Sequence, residues 1–326
     1  MTASRILPTT LIALLVVGLA AASPAHGQNY VHQFEIEEIL ERRAESLNTL
    51  PEVHYEYKTL DDPRDNTVIA RSTFYKDIGE GDTELGRERA RLVELLNRVN
   101  MGELSMGDTL VVPTEWDVDF RAYSPFPRYY PGARDEDKLF IIDKTTQAFA
   151  AYEYGQLKRW GVVNTGDPED PDLAPTPNGR FNFNWQEEYR ISSLSPADEL
   201  WEMHWVFNFH DRRGIHIHQY PMPTGGPTSR GCVRMVDADA EWIYNWADAW
   251  ETTTGTTGVE SRQGQILEQG TMVLVIGEEP DGRPNPFTYK DRYPVLDRVE
   301  LPTDPYDVEP GTRQQEIFDE RRTAAR

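Results

Sequence analysis

Behind Arg5 the chain opens with an uncharged, apolar run at 7–25, followed by small residues up to Ala-His-Gly before Gln28. A short positive start, an apolar middle and a small-residue end form the three-part pattern of a secretory signal, with cleavage after Gly27 and residues 1–27 removed. The strongly apolar stretch is only about a dozen residues, short of the roughly 20 that span a bilayer. No later segment is apolar enough to cross, so the cleaved protein is expected to have no stable membrane insertion. Residues 28–113 then read as an α-rich region. Phe34, Ile36, Ile39 and Leu40 recur at roughly helical spacing in a pattern that Pro51 ends, and a second helix is predicted at Thr83–Asn97, with Leu92, Leu95 and Leu96 on one face.

Residues 114–136, rich in Pro, Tyr, Arg and Asp, read as a linker or a packed extended arm. From 137 the pattern changes to short apolar runs, at 139–142, 148–152, 157–163, 180–185, 201–209, 215–219 and 271–276, separated by Gly, Pro and Asp turns. Such runs predict a mostly antiparallel β domain over 137–278. One helix is signalled inside it, with Asp237 as N-cap and Trp242, Trp246 and Trp250 spaced four apart as a core stripe. Glu187-Glu188 reads as solvated loop surface. The remainder, 279–326, is a polar extension with a last helix at 313–322. The fold class expected is therefore mostly β, with one or two helices in the β domain and a smaller α-rich region ahead of it.

Composition supports a real core, since 38% of residues are hydrophobic and there are 8 Trp, 15 Tyr and 12 Phe. A net charge of −22 argues against a nucleic-acid partner, because phosphate binding relies on Lys and Arg. The single cysteine, Cys232, cannot form an internal disulfide. In an exported chain, a lone thiol near histidines is easier to explain as a nucleophile.

A cysteine attacks carbonyls as its thiolate, which needs a base or a positive environment, together with N–H donors for the oxyanion. Arg230 and Arg234 flank Cys232 with positive charge, and either one can meet a substrate carboxylate. Gly231 permits a tight backbone beside the thiol. His216 and His218, two apart on an extended run, share a face. His204, His210, His216 and His218 also crowd together, which raises a metal site as a rival. No acidic ligand stands at a recognisable spacing, however, and a metal would leave Ser-Arg-Gly-Cys-Val-Arg unexplained. No metal or cofactor is expected.

The segment Gly-Ile-His-Ile-His, a spacer, and Ser-Arg-Gly-Cys-Val-Arg-Met resembles the signature of the YkuD-type L,D-transpeptidases, which remodel bacterial peptidoglycan. Upstream, Gln147, the hairpin Gly155, Thr165-Gly166 and Thr176-Pro-Asn-Gly follow the order usual in that family. The resemblance implies a YkuD-like β-sandwich, with Cys232 as nucleophile and His216 as base. It further implies Ser229 or a main-chain carbonyl near Ile217 to orient the imidazole, and Gly231 with the Cys232 amide at the oxyanion. Arg234 would face stem-peptide carboxylates, with Arg230 and His218 as further substrate contacts. Two positions depart from the pattern: Arg230 stands where the family has histidine before Gly-Cys, and Ile217 where a Gly often follows the first histidine.

The implied partners are peptidoglycan stem peptides, with a stem amine or a wall-anchored protein as acyl acceptor, in the periplasm or cell envelope of a bacterium. A carboxypeptidase or amidase of the same fold, or a decayed wall-binding scaffold, is the alternative. Residues 95–113, ending in Gly-Asp-Thr-Leu-Val-Val-Pro, resemble the second half of a LysM module, a small glycan-binding unit, without its expected first strand. A helix, a loop and an edge strand would read the same way.

Overall fold

The computed structural model describes residues 33–43, 46–169, 175–220 and 226–324; the expected signal at 1–27 lies outside them. The first helix, α1 (Gln33–Glu41), stops well before Pro51. Ser46 turns the chain there, its hydroxyl accepting from the Asn48 N–H at the head of a short 3₁₀ turn. A strand absent from the sequence expectation follows, β1 (Tyr55–Thr59), which pairs antiparallel with β2 (Thr109–Pro113). Between them run α2 (Thr67–Ile78) and α3 (Thr83–Asn97). The side chain of Asn66 caps α2 and that of Asp82 caps α3, each accepting first-turn N–H groups that would otherwise lack partners. The order of this unit is β–α–α–β. Helix α3 serves two cores: Ala90 and Val93 meet Phe74 and Ile78 inside this unit, while Leu92, Leu95 and Leu96 face the main body.

Residues 114–136 are packed rather than free. Phe120 stacks on Trp160 with ring centroids 4.6 Å apart, the Trp160 indole N–H donates to the Phe120 carbonyl, and Tyr123, Phe126 and Tyr130 are buried.

The strands that follow are β3 (Leu139–Asp143), β4 (Ala148–Glu153), β5 (Gln156–Asn164), β6 (Gly179–Asn182), β7 (Gln186–Ile191), β8 (Glu202–His210), β9 (Ile215–Gln219) and β10 (Val233–Met235). After them come α4 (Asp237–Trp246), the short pair β11 (Glu251–Thr252) and β12 (Ile266–Glu268), then β13 (Met272–Ile276), the pair β14 (Phe287–Thr288) and β15 (Val295–Leu296), and α5 (Arg313–Ala324). Nine of these strands form one sheet in the order β6-β13-β3-β4-β5-β10-β9-β8-β7. The fold is mostly β as expected, and the two layers are halves of one curled sheet. Phe183 on one half stacks on Phe207 of the other at 4.2 Å, and the Asn184 N–H donates to the Asn208 carbonyl.

Alternation explains the apolar runs. On β3, β4 and β13 one set of residues (Leu139, Ile141, Ala150, Leu274) faces the helical region and the packed arm. The other set (Phe140, Ile142, Phe149, Val273) faces the inside of the curl. A sheet buried on both faces needs apolar residues at every position.

Pairing in the large sheet is mostly antiparallel as expected, with two parallel neighbours, β3–β13 and β9–β10. Three expectations are corrected. Glu187 and Glu188 lie on edge strand β7, not in a loop. Val236, not Asp237, is the N-cap of α4, because the Asp237 carboxylate accepts from the Trp205 indole N–H instead. Trp242 and Trp246 stack half-buried, whereas Trp250 lies beyond the helix and is buried in a separate cluster with Trp185.

Candidate active site

Cys232 sits in the loop that leads into β10, and His216 is the second residue of β9, the parallel neighbour of β10. That pairing brings the two together: Cys232 Sγ lies 3.7 Å from His216 Nδ1 and 3.9 Å from the Gly214 carbonyl. They share the wall of a cavity of about 540 Å³ with Trp185, Met203, Arg190 and the Asp211–Arg213 turn.

The loop geometry is enforced by the upstream motif residues. Gln147 accepts from the Thr165 N–H and donates to the Thr165 hydroxyl and the Lys144 carbonyl. The Gly166 N–H donates to Thr176 Oγ1 at 2.9 Å, and that hydroxyl donates to the Gly231 carbonyl at 2.9 Å. The Ser229 N–H donates to the Thr165 carbonyl, and the Asp167 N–H to the Ser229 carbonyl. Gly231 has φ +101°, a conformation that side-chain-bearing residues rarely adopt. A Cβ on Gly166 would lie 2.9 Å from the Gly231 Cα, so the two glycines are needed together.

Several assigned roles land elsewhere. The Ser229 hydroxyl donates to the Cys232 carbonyl and accepts from the Gly231 N–H at 3.1 Å, so it braces the nucleophile loop and does not orient His216. The same bond commits the Gly231 N–H, which the sequence reading gave to the oxyanion. The backbone of Ile217 lies inside the sheet, paired with β8 on one side and β10 on the other. His216 Nε2 has no hydrogen-bond partner among the described residues, and the ring is set by the edge of Trp185, 5.0 Å between centroids. His218 Nδ1 faces the Gln219 carbonyl at 2.8 Å. Arg234 lies over the Tyr220 ring and donates to the Thr228 hydroxyl, away from the cavity wall that Arg230 does line.

Trp185, Arg190, Arg212, Arg213 and Arg262 line the same cavity, and sequence reading did not single them out. The one available signal was Asp211-Arg212-Arg213-Gly214, directly ahead of the His216 strand. The four clustered histidines end against different rings: His204 on Tyr189, His210 on Phe181, His216 on Trp185 and His218 on Tyr220.

Burial sets the protonation states. It lowers His216 to about 3, helped by the positive charges of His218, Arg190 and Arg262, and lowers His218 to about 4. Burial also pushes the Cys232 thiol up, outweighing the His216 hydrogen bond and the charges of Arg234 and Arg213. The flanking arginines therefore do not make a resting thiolate, and the pair rests as neutral thiol and neutral imidazole.

A stability consequence follows. Both imidazoles are depressed below their unfolded value of roughly 6.5, so from about pH 4 to that value the unfolded chain binds more protons than the folded one. Stability then rises with pH across this window and is lost as pH falls. The melting temperature is expected to drop between neutral pH and about pH 4, with a shallower slope in His218→Gln, as scanning calorimetry at a series of pH values would record.

Residues 137–293 match the family model of the YkuD L,D-transpeptidase catalytic domain. No curated protein matches the chain. Among solved structures it is similar to L,D-transpeptidase 1 of Mycobacterium tuberculosis, at 16% identity over 43% of this chain and 62% of that one, with a TM-score of 0.31. It is similar also to an L,D-transpeptidase from Mycobacterium smegmatis (16% identity, 43% and 58% covered, TM-score 0.32) and to one from Stackebrandtia nassauensis (22%, 44% and 58%, 0.32). The chain spans 58% to 62% of the length of these three proteins. Residues 137–293, which carry both Cys232 and His216, form a domain of the YkuD family of L,D-transpeptidase catalytic domains.

Proposed function

We propose that the protein is an exported cysteine acyltransferase acting on the tetrapeptide stems of peptidoglycan. The observation that carries this reading is the 3.7 Å approach of Cys232 Sγ to His216 Nδ1 on a cavity wall within a YkuD domain. A decayed scaffold has no need to keep that geometry or the chain of hydrogen bonds that fixes Gly231.

In the proposed reaction Sγ attacks the carbonyl carbon of the amide between the third stem residue, a diamino acid, and the terminal D-alanine. As the S–C bond forms, the thiol proton passes to His216 Nδ1, and the Cys232 N–H receives the oxyanion. Collapse breaks the C–N bond, and His216 returns the proton to the departing amine of D-alanine. The thioester then passes to an amine on a second stem or on a wall-anchored protein, releasing Cys232 as thiol again. Because the imidazole is neutral at rest and its Nε2 lacks a partner, the imidazolium forms only during transfer.

The test is digestion of sacculi with the protein and with Cys232→Ala, followed by mass spectrometry of the muropeptides. Direct links between two third-position residues, present only with the intact thiol, are the expected products. Shortened stems without new links would identify a carboxypeptidase, and identical digests would refute the reading.

A further inference from the structure

The charge of the cavity opposes the charge of the chain. Acidic residues outnumber basic ones 55 to 33 in the sequence, yet five arginines, Arg190, Arg212, Arg213, Arg230 and Arg262, line the cavity beside Cys232, with Asp211 as the one carboxylate among the described lining residues. Asp211 pairs with Arg262 at 2.7 Å, and Arg190 pairs with Glu187 at 3.0 Å. A cleft of one sign set in a surface of the other concentrates counter-charged ligands.

Arg230 stands two residues before the nucleophile, separated from it by Gly231, and of the two flanking arginines it is the one that lines the cavity. Its guanidinium lies 4.9 Å from the centre of the Trp201 ring. Trp201 is in turn tied back, its N–H donating to the Ser195 hydroxyl and its carbonyl accepting from the Ser192 N–H. Stacking engages the face of a guanidinium and leaves its N–H edge for a planar, two-oxygen acceptor. A carboxylate matches that edge, whereas a carboxamide turns an NH₂ donor toward donors.

We infer that this cavity selects donor stems whose third residue carries a free side-chain carboxylate, with Arg230 as the residue that reads it. This selectivity rests on the stem-peptide reading above and sharpens it to one charged form of the donor. Stems in which that carboxylate is amidated, or in which the third residue is a lysine without it, are the poor ligands.

Binding separates this selectivity from turnover. Three synthetic tetrapeptides, alike except for a carboxylate, a carboxamide or a hydrogen at that position, are titrated by calorimetry into Cys232→Ala, which cannot react. The carboxylate form is expected to bind at least about tenfold more tightly than either of the others, the size of one charge-assisted hydrogen bond. In the Cys232→Ala background, Arg230→Gln should bring the three affinities together, while Arg230→Lys should retain part of the difference. If Arg230→Gln does not fold, salt replaces it: the preference should shrink as ionic strength rises from roughly 0.05 to 0.5 M. Equal affinities for acid and amide would overturn the inference. A carboxylate preference in a protein that releases no D-alanine would leave it standing and would refute the proposed reaction instead.

Discussion

Replacing His216 with glutamine is expected to slow acylation of Cys232 by about 10²- to 10⁴-fold at neutral pH, the usual contribution of a positioned general base. The reason lies in the resting state. Were the pair a thiolate and an imidazolium, removing the imidazole would alter the nucleophile's charge as well as its proton acceptor. Here burial holds both groups neutral, so each attack needs the sulfur proton to move to Nδ1 as the S–C bond forms. The variant's residual rate should climb steeply with pH, since hydroxide must then supply the thiolate, whereas the wild-type rate should vary little across neutral pH. Stopped-flow acylation at several pH values measures both. A wild-type rate that follows thiol ionisation in parallel with the variant's would mean that His216 is not the base.

Asp239→Ala is expected to cost about 3–5 kcal/mol of stability, the typical penalty for stripping one partner from a buried ion pair. The Arg159 and Asp239 side chains are both 0% exposed, and the Arg159 Nε–H donates to Asp239 Oδ1 at 2.6 Å. A second nitrogen of the same guanidinium reaches Glu41 on α1 at 2.7 Å. Three elements therefore meet at one cation: the helical region through α1, the sheet through β5, and α4, which follows the Cys232 loop. The packing is tight, since a Cβ on Gly161 would lie 2.2 Å from Asp239 Oδ2. Without Asp239, Arg159 stays buried, with the half-exposed Glu41 as its remaining carboxylate partner among the described residues. The double variant Arg159→Met/Asp239→Leu should regain much of the loss, because apolar replacement of a buried pair is often neutral. Urea denaturation of the wild type and the two variants checks this; a loss under about 1 kcal/mol in Asp239→Ala would show the pair to be well solvated.

Much of the fold was legible because periodicity reports burial. Both the α3 and β9 limits were anticipated to the residue, and in each the apolar positions are sharply patterned. The misses have physical causes. Strand β1 is short, with charged Glu56 and Lys58 each following a tyrosine, and gains its stability from a partner some fifty residues away, β2. Edge strand β7 carries Glu187, Glu188 and Arg190 because it ends the sheet, and charged residues suit such an edge.

Within the site, a thiol close to histidines was legible in the sequence, and folding sets Cys232 Sγ 3.7 Å from His216 Nδ1, but the contacts of their neighbours were not legible. Ser229 braces the loop instead of the imidazole, a fact that depends on where Thr165 and Gly231 come to lie. Arg190, Arg212 and Arg262 reach the cavity from three separate segments, and only folding brings them together.

If Cys232 takes the acyl group of a stem peptide and expels D-alanine, intact-protein mass spectrometry after rapid mixing with a tetrapeptide stem should find a covalent adduct. Its mass should equal the stem less its terminal D-alanine, and it should map to Cys232 and be absent from Cys232→Ala. D-alanine release that persists in Cys232→Ala, with no adduct on the intact protein, would contradict that role of Cys232.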